Sequence, residues 1–463
     1  MAIREFAAKQ AVKQILPLVG RMSDRDLERL LLVARKLAPT DYTRSFMDTL
    51  DRMRQEQHPT IELIRRAICQ TSPHVRKRLI NSLLAKELMQ GNVIREQLRS
   101  QGLAAPQAYL ISPTMRCNLR CPGCYAANYS QKDELESEVI DRILTEGEGL
   151  GMFWVTLLGG EPFVRQDMWE IYRRHEDIFF QVFTNGTLVD KEATRKLAEV
   201  GNVGVIFSIE GFEEETDARR GKGVFQKVMQ GMDNLREAGI PFGFSVMVTR
   251  CNVDTIISDE FNDMLIKKGC LVGWHFLYIP VGRDADISLM PTAEQRELMR
   301  QRGAQRIRNE KPIFIVDFWN DAPYVGGCIA GGRHYFHINA RGDIEPCIFV
   351  HLAVDNIKQT SLKEAIESPY FRAIRARQPY SGNLLRPCMI IDHPHVLRGL
   401  CAECKPYPTD GTACGFITSL ATDLDRYSNE VATILDPIWE HEFAERHSPA
   451  DDLKVDTEKL LMK

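Results

Sequence analysis

No run of about 18 apolar residues occurs in this 463-residue chain, which leaves it without a candidate hydrocarbon-spanning helix. Its opening stretch, MAIREFAAKQAVKQ, lacks the continuous apolar segment of a secretory signal. No tract of low complexity appears, and no repeat beyond an alternation of strand-like and helix-like segments, so an extended repeat array is excluded. What is present is ordinary for a soluble globular protein: 44% hydrophobic and 26% charged residues. The length calls for two or three domains. A cytoplasmic protein is expected.

Twelve cysteines in a reducing compartment favour metal ligation over disulfides, above all where they cluster. Cys69, Cys251 and Cys270 stand alone in apolar surroundings and are expected to be small core residues. The other nine are grouped, three near residue 120 and six between 328 and 414. The net charge of −4 hides an asymmetry. Residues 1–108 hold 19 Lys/Arg against 11 Asp/Glu, and the remainder 40 against 52. A basic segment on an acidic body can attract an anionic membrane surface or nucleic acid, although a solvated helical face explains it equally.

The first hundred residues read as helix. Ser23 and Asp26 form a start signal before Leu27, Leu30, Leu31 and Ala34 at helical spacing. Ser72-Pro73 opens another helix, with Val75, Leu79, Leu83 and Met89 inward and Gly91 as its stop. A shorter one runs from Val93 to Leu98. This is a separate helical domain, or a helical collar on the remainder of the chain.

From Tyr109 the period changes. The β-rich runs AYLISP, FWVTLLGG, FFQVFTNG, VGVIFSIEG, PFGFSVMVT and VGWHFLYIP alternate with amphipathic helical patterns such as Val224 to Ala238. Six such units are too few for a closed eight-stranded barrel, so a partial barrel or open sheet is expected. Folds of this kind place their chemistry in the loops after the strands. Beyond Pro312 the chain is loop-rich, and it closes with a helix from Leu424 to about Arg446. The expected units are 1–105 (helical), 106–310 (α/β core), 311–420 (cysteine-rich) and 421–463 (helical tail).

The first strand runs into PTMRCNLRCPGCYAAN, with Cys117, Cys121 and Cys124 spaced C-x3-C-x2-C. Three thiolates leave one position of a [4Fe–4S] cluster open, as a catalytic zinc keeps a vacant site. In the first strand-to-helix loop of six such units, this resembles the radical S-adenosylmethionine (radical SAM) superfamily, with its partial (β/α)6 barrel. LLGGEPF at 157–163 resembles the family's GGEP motif, and FTNGT at 183–187 ends the third strand as in the family. SIEGF…DARRG from Ser208 is similar to its fourth-strand segment, and YIPVGR at 278–283 to its sixth-strand ending.

The resemblance implies that Cys117, Cys121 and Cys124 hold the cluster and that SAM binds the open iron by its amine and carboxylate. It implies SAM contacts from Gly159, Gly160, Glu161, Ser208 and Arg220. The family's aromatic residue before the third cysteine is replaced by Gly123, with Tyr125 the nearby aromatic, and Glu210 stands for the usual Asp.

CIAGGRHYFHINARGDIEPC, from Cys328 to Cys347, carries Gly342 five residues before its second cysteine. It resembles the start of SPASM or twitch extensions, which hold auxiliary [4Fe–4S] clusters, and YFHINARGDIEPC reads as a hairpin. The later spacing departs from SPASM. Cys328, Cys347 and Cys388 are expected to serve one auxiliary cluster, its fourth ligand being Cys401, Cys404 or substrate. Cys401, Cys404 and Cys414 would form a second cluster or a zinc site. His393 and His395 are expected to be loop residues rather than ligands.

The resemblance implies an enzyme that cleaves SAM reductively to a 5′-deoxyadenosyl radical. Hydrogen would then be abstracted from a small molecule or lipid, with an external donor such as flavodoxin or ferredoxin. The alternatives are a maturase of a ribosomally made peptide and a non-catalytic metal-stabilised scaffold. No stable nucleic-acid complex is expected, since the basic segment lacks interleaved aromatics. No proton donor or substrate anchor can be named from the sequence.

Overall fold

The computed structural model describes residues 23–37 and 41–443. The opening MAIREFAAKQAVKQ, the side chain of Ala34 and the residues near Arg446 lie outside that description. Helices α1 (Asp24–Leu37), α2 (Asp41–Gln55) and α3 (Pro59–Gln70) form a small cluster around Leu27, Leu31 and Ile68. Ser23 caps α1, its hydroxyl accepting from the Asp26 N–H at 3.2 Å.

Helix α4 (Pro73–Leu79) continues without a break through a π-helical stretch, Ile80–Gly91, into α5 (Asn92–Ser100). Gly91 is therefore no stop. It permits close approach: a Cβ there would lie 2.6 Å from the Gly151 carbonyl oxygen. The widened turns also rotate the inward face, burying Ser82, Ala85 and Glu87 while Leu83 and Met89 are only half-buried. Glu87 pairs with Arg95 at 2.8 Å and accepts from the Phe153 N–H at 2.9 Å, tying this helix to the core.

The core is one sheet of nine strands, in the order β7-β6-β5-β4-β3-β2-β1-β8-β9. The strands are β1 (Ala108–Ile111), β2 (Trp154–Leu157), β3 (Phe179–Thr184), β4 (Val203–Ser208), β5 (Phe242–Val248), β6 (Val272–Leu277), β7 (Phe314–Asp317), β8 (His337–Ile338) and β9 (Ile344–Glu345). Strands β1 to β7 are parallel, joined by helical crossovers, and apolar on both faces. The hairpin β8–β9 turns at Gly342, whose φ is +94°, and β8 pairs in parallel with β1. The sheet thus extends past residue 310 at both edges. The last described helix is Ala421–Glu442, starting three residues before Leu424.

Two of the three isolated cysteines are not core residues. Cys270 is buried, but Cys69 and Cys251 are exposed. Cys69 follows Ile68, which takes the inward position on α3, and Cys251 sits in the turn after β5.

His275 on β6 is buried beside Arg308, and desolvation holds its imidazole at about 3. A base whose folded pKa is depressed gives stability that is complete above its unfolded value, near 6.5, and is lost as pH falls toward 3. Denaturation at pH 5 should therefore show about 2 kcal/mol less stability from this group than at pH 8. The His275→Phe variant should lose that part of the slope.

Candidate functional site

The loop after β1 carries the cysteine triplet and is held from two sides. On one side, the Gly160 N–H donates to the Thr114 carbonyl at 2.9 Å, and the Glu161 N–H to that of Arg116 at 2.8 Å. Gly159 has φ +105°, and Cβ atoms at Gly159 and Gly160 would overlap the same two carbonyls. The glycine pair lets the cysteine loop lie on the end of β2. Gly160→Ala should cost about 1–3 kcal/mol by overpacking. Reconstituted iron per chain should fall with the melting temperature if the loop is displaced.

On the other side the end of β6 clamps the loop. The two segments exchange backbone bonds at 3.1 Å, Gly123 N–H to the Arg283 carbonyl and Arg283 N–H to the Cys124 carbonyl. The Arg283 guanidinium reaches the Cys121 carbonyl at 3.2 Å. Gly123 has φ +64°, and the Tyr278 ring packs where its Cβ would be, 3.1 Å away. The aromatic neighbour of this position is thus Tyr278. Tyr125 turns away, edge-on to Phe349 at 5.9 Å and beside His351.

Glu161 is fully buried. Its carboxylate accepts from the Thr184 hydroxyl (2.8 Å), the Asn185 N–H (2.8 Å) and the Phe163 N–H (3.1 Å). Three of about four acceptor positions are filled within the chain. Burial raises its pKa despite these bonds. Its effect is to fix the end of β3, where the Asn185 amide reaches Asn118 at 2.9 Å and the Cys117 sulfur at 3.8 Å. Ser208 stands half-buried at the end of β4.

Two residues on, Glu210 is buried, and both Arg219 and Arg220 fork onto it, at 2.5 and 2.8 Å. The pair holds Glu210 below the ordinary carboxylate range despite its burial. Two guanidinium groups on one carboxylate leave one positive charge, and it faces the cysteines. Burial raises the Cys124 thiol, while Arg219 and Arg220 pull it down. Burial likewise raises Cys117, with the Cys121 and Cys124 sulfurs adding to the shift. Sequence reasoning singled out Arg220 but missed Arg219 and Asn185, although each lies within a motif it quoted.

The later cysteines form two threes. Cys328, Cys347 and Cys388 act on one another across a buried space shared with Tyr335 and Tyr380. The Tyr335 hydroxyl lies 3.4 Å from the Cys347 sulfur. Burial pushes Cys347 up to about 11 and raises Cys328 and Cys388. Cys401, raised to about 11 by burial, is coupled instead to Cys414 and Cys404. His393 bonds the Arg386 carbonyl at 2.8 Å, and His395 lies in the first turn of the helix Pro394–Cys404 rather than in a loop.

Each group offers soft thiol donors, which fits iron–sulfur ligation. Among the described residues no three His, Cys, Asp or Glu side chains close up tightly enough to hold a single metal ion. The thiols of each group nevertheless feel one another's charge.

A family model for the radical SAM superfamily matches residues 111–258, and one for an iron–sulfur cluster-binding domain, SPASM, matches 328–405. Mycofactocin maturase MftC of Mycolicibacterium smegmatis is 31% identical over 331 residues, which are 67% of this chain and 82% of that protein. The chain belongs to the radical SAM superfamily. AdoMet-dependent heme synthase of Nitratidesulfovibrio vulgaris is 28% identical, over 59% of this chain and 82% of its own. Streptococcus suis SuiB bound to S-adenosylmethionine shares the fold, with a TM-score of 0.54 and 20% identity over 63% of this chain and 74% of that one. SuiB has also been solved bound to the precursor peptide SuiA, with the same TM-score, at 19% identity over 65% of this chain and 75% of that one.

This radical SAM protein is an enzyme whose cofactors are a [4Fe–4S] cluster, S-adenosylmethionine and at least one auxiliary [4Fe–4S] cluster. No described helix is long and apolar enough to cross a membrane.

Proposed function

We propose that Cys117, Cys121 and Cys124 hold the reactive cluster and leave its fourth iron to SAM. When bound, that cluster supplies the electron that splits the SAM sulfonium into methionine and a 5′-deoxyadenosyl radical, which takes hydrogen from the substrate. The chain's own part is positioning. Ser208 and the Gly159-Gly160 backbone border the space beside the triplet. Arg219 and Arg220, with one positive charge left over, complement the SAM carboxylate. Glu161 acts chiefly by fixing Asn185 against Cys117, with one acceptor position left for the SAM amine.

Cys328, Cys347 and Cys388 are assigned to an auxiliary cluster, and Cys401, Cys404 and Cys414 to a second centre. The proposed units are 1–105, 106–310, 311–420 and 421–463, with β7 and the β8–β9 hairpin completing the core sheet from the third. A flavodoxin or ferredoxin as donor and the cytoplasm as compartment fit thiols that must stay reduced. The basic helices before β1 offer an anionic membrane surface a contact.

One observation carries this reading: the arginine pair that ends the helix Glu213–Arg220, after β4, acts on the cysteines of the loop after β1. The test is anaerobic reconstitution, reduction with dithionite in the presence of SAM, and chromatography for 5′-deoxyadenosine. Formation of that product supports the reading, and stoichiometric zinc with none of it would refute it.

A second reading, maturation of a ribosomally made peptide, is favoured by the name of MftC and by the peptide bound to SuiB. The described residues before β1 are helices joined by short turns and contain no strand with which a peptide could pair.

A further inference from the structure

One face of the sheet and the cysteine-rich segment line an open cavity of about 300 Å³. Alternate residues of the strands face it, as a period of two requires. They include Leu110, Leu158, Phe183, Trp274, Phe276 and Phe318. The rings form one stack: Trp274 on Phe276 at 6.1 Å, Phe276 on Phe318 at 5.2 Å, and Phe183 edge-on to Trp274 and Phe276. Leu158, directly before the Gly159-Gly160 pair, lines it, and so do Cys328, Cys347 and Cys388. A centre held by those three cysteines would take up part of the volume and leave the aromatic part to another molecule.

The polar side chains of the lining are spoken for. Asp321 is paired with Arg308 at 2.7 Å and accepts the Asp317 N–H at 2.9 Å. Gln181 and Thr156 bond each other at 3.3 Å. His334 is held near 4 by burial and is neutral at physiological pH. Among the described residues no lysine or arginine lines the cavity. Trp154, Trp274 and Trp319 are among the lining residues, and their indole N–H groups are buried in the protein without an acceptor.

These facts discriminate between substrates. A carboxylate-bearing molecule would bury its charge with no cation to meet it, at a cost well above that of a neutral polar group. A peptide would bring one N–H and one C=O per residue into a wall that offers mainly aromatic faces. Each unpaired group costs about 1–3 kcal/mol. A hydrocarbon chain suffers neither penalty.

We propose that the group held here is an uncharged hydrocarbon chain of lipid type, presented to the radical site with its C–H bonds along the aromatic stack. This rests on the proposed SAM chemistry but has its own readout. Three of the chain's five tryptophans line the cavity, so a dibrominated monoacylglycerol added to the reconstituted holoenzyme should quench tryptophan emission saturably. Brominated farnesol in a parallel arm separates acyl from isoprenoid chains.

Phe276→Asp, checked for iron content, should weaken the quenching by about tenfold or more, since it places an unpaired charge in the wall. Phe276→Leu should retain it, which separates loss of the site from loss of fold. Perdeuterated monoacylglycerol or farnesol, whichever binds, should transfer deuterium to the 5′-deoxyadenosine methyl group as a C–D bond of the chain is exchanged for one on the nucleoside. Quenching that is absent from the wild type, indifferent to Phe276→Asp, or displaced by a soluble peptide that binds more tightly would overturn the proposal. Saturable, variant-sensitive quenching without any 5′-deoxyadenosine would support the hydrocarbon site and sink the catalytic reading alone.

Discussion

Replacing Cys117, Cys121 and Cys124 together with alanine is expected to reduce 5′-deoxyadenosine to the background of the assay. Iron and sulfide should each fall by about four per chain, one cubane. The remaining thiols are two separate groups on other elements, so their iron should stay. An intermediate iron loss spread over all sites would contradict three independent centres. Loss of all iron in a variant that still melts cooperatively would do so too.

The second large effect is expected at Glu210. Its carboxylate, buried at the end of β4, balances two guanidinium groups whose side chains are themselves mostly buried. Truncation to alanine strands both. Removing one partner of such a network costs about 3–5 kcal/mol, because the surviving charge remains desolvated. Glu210→Asp keeps the charge but shortens the reach, and should lose less. Denaturant titration of both variants checks the order. The SAM affinity of the aspartate variant then shows whether the freed arginines still point at the ligand.

Much of this was legible before any coordinates. The triplet's place after β1 followed from the change of period at Tyr109, and the six parallel strands from their apolar runs. The hairpin around Gly342 was announced by NARG between alternating residues. What the sequence could not reveal were partners far away in the chain. GGEP reads as a ligand-facing turn, but its glycines face the carbonyls of Thr114 and Arg116, about 45 residues earlier.

Gly123 reads as a missing aromatic because Tyr278, which packs beside it, follows the sixth strand, far along the chain. Gly91 looks like a helix end, and nothing local says that Gly151 will lie against it. The cavity was half-visible, since strand parity assigns Trp274, Phe276 and Phe183 to one face. Whether that face encloses space or closes on itself depends on curvature, which no local pattern encodes.

The pairing of β8 with β1 has a consequence for how this protein could be dissected. Leu110 and Ile111 lie on the strand that leads into the cysteine triplet, and their outer neighbours in the sheet are His337 and Ile338. A fragment cut after the α/β core would carry β1 as a raw margin, its amides and carbonyls bare and its side chains apolar, ready to template on another copy. The cysteine-rich segment is thus the selvedge of the sheet. The two cysteine-bearing segments are threads woven side by side, so a shift of one strand is felt by the other.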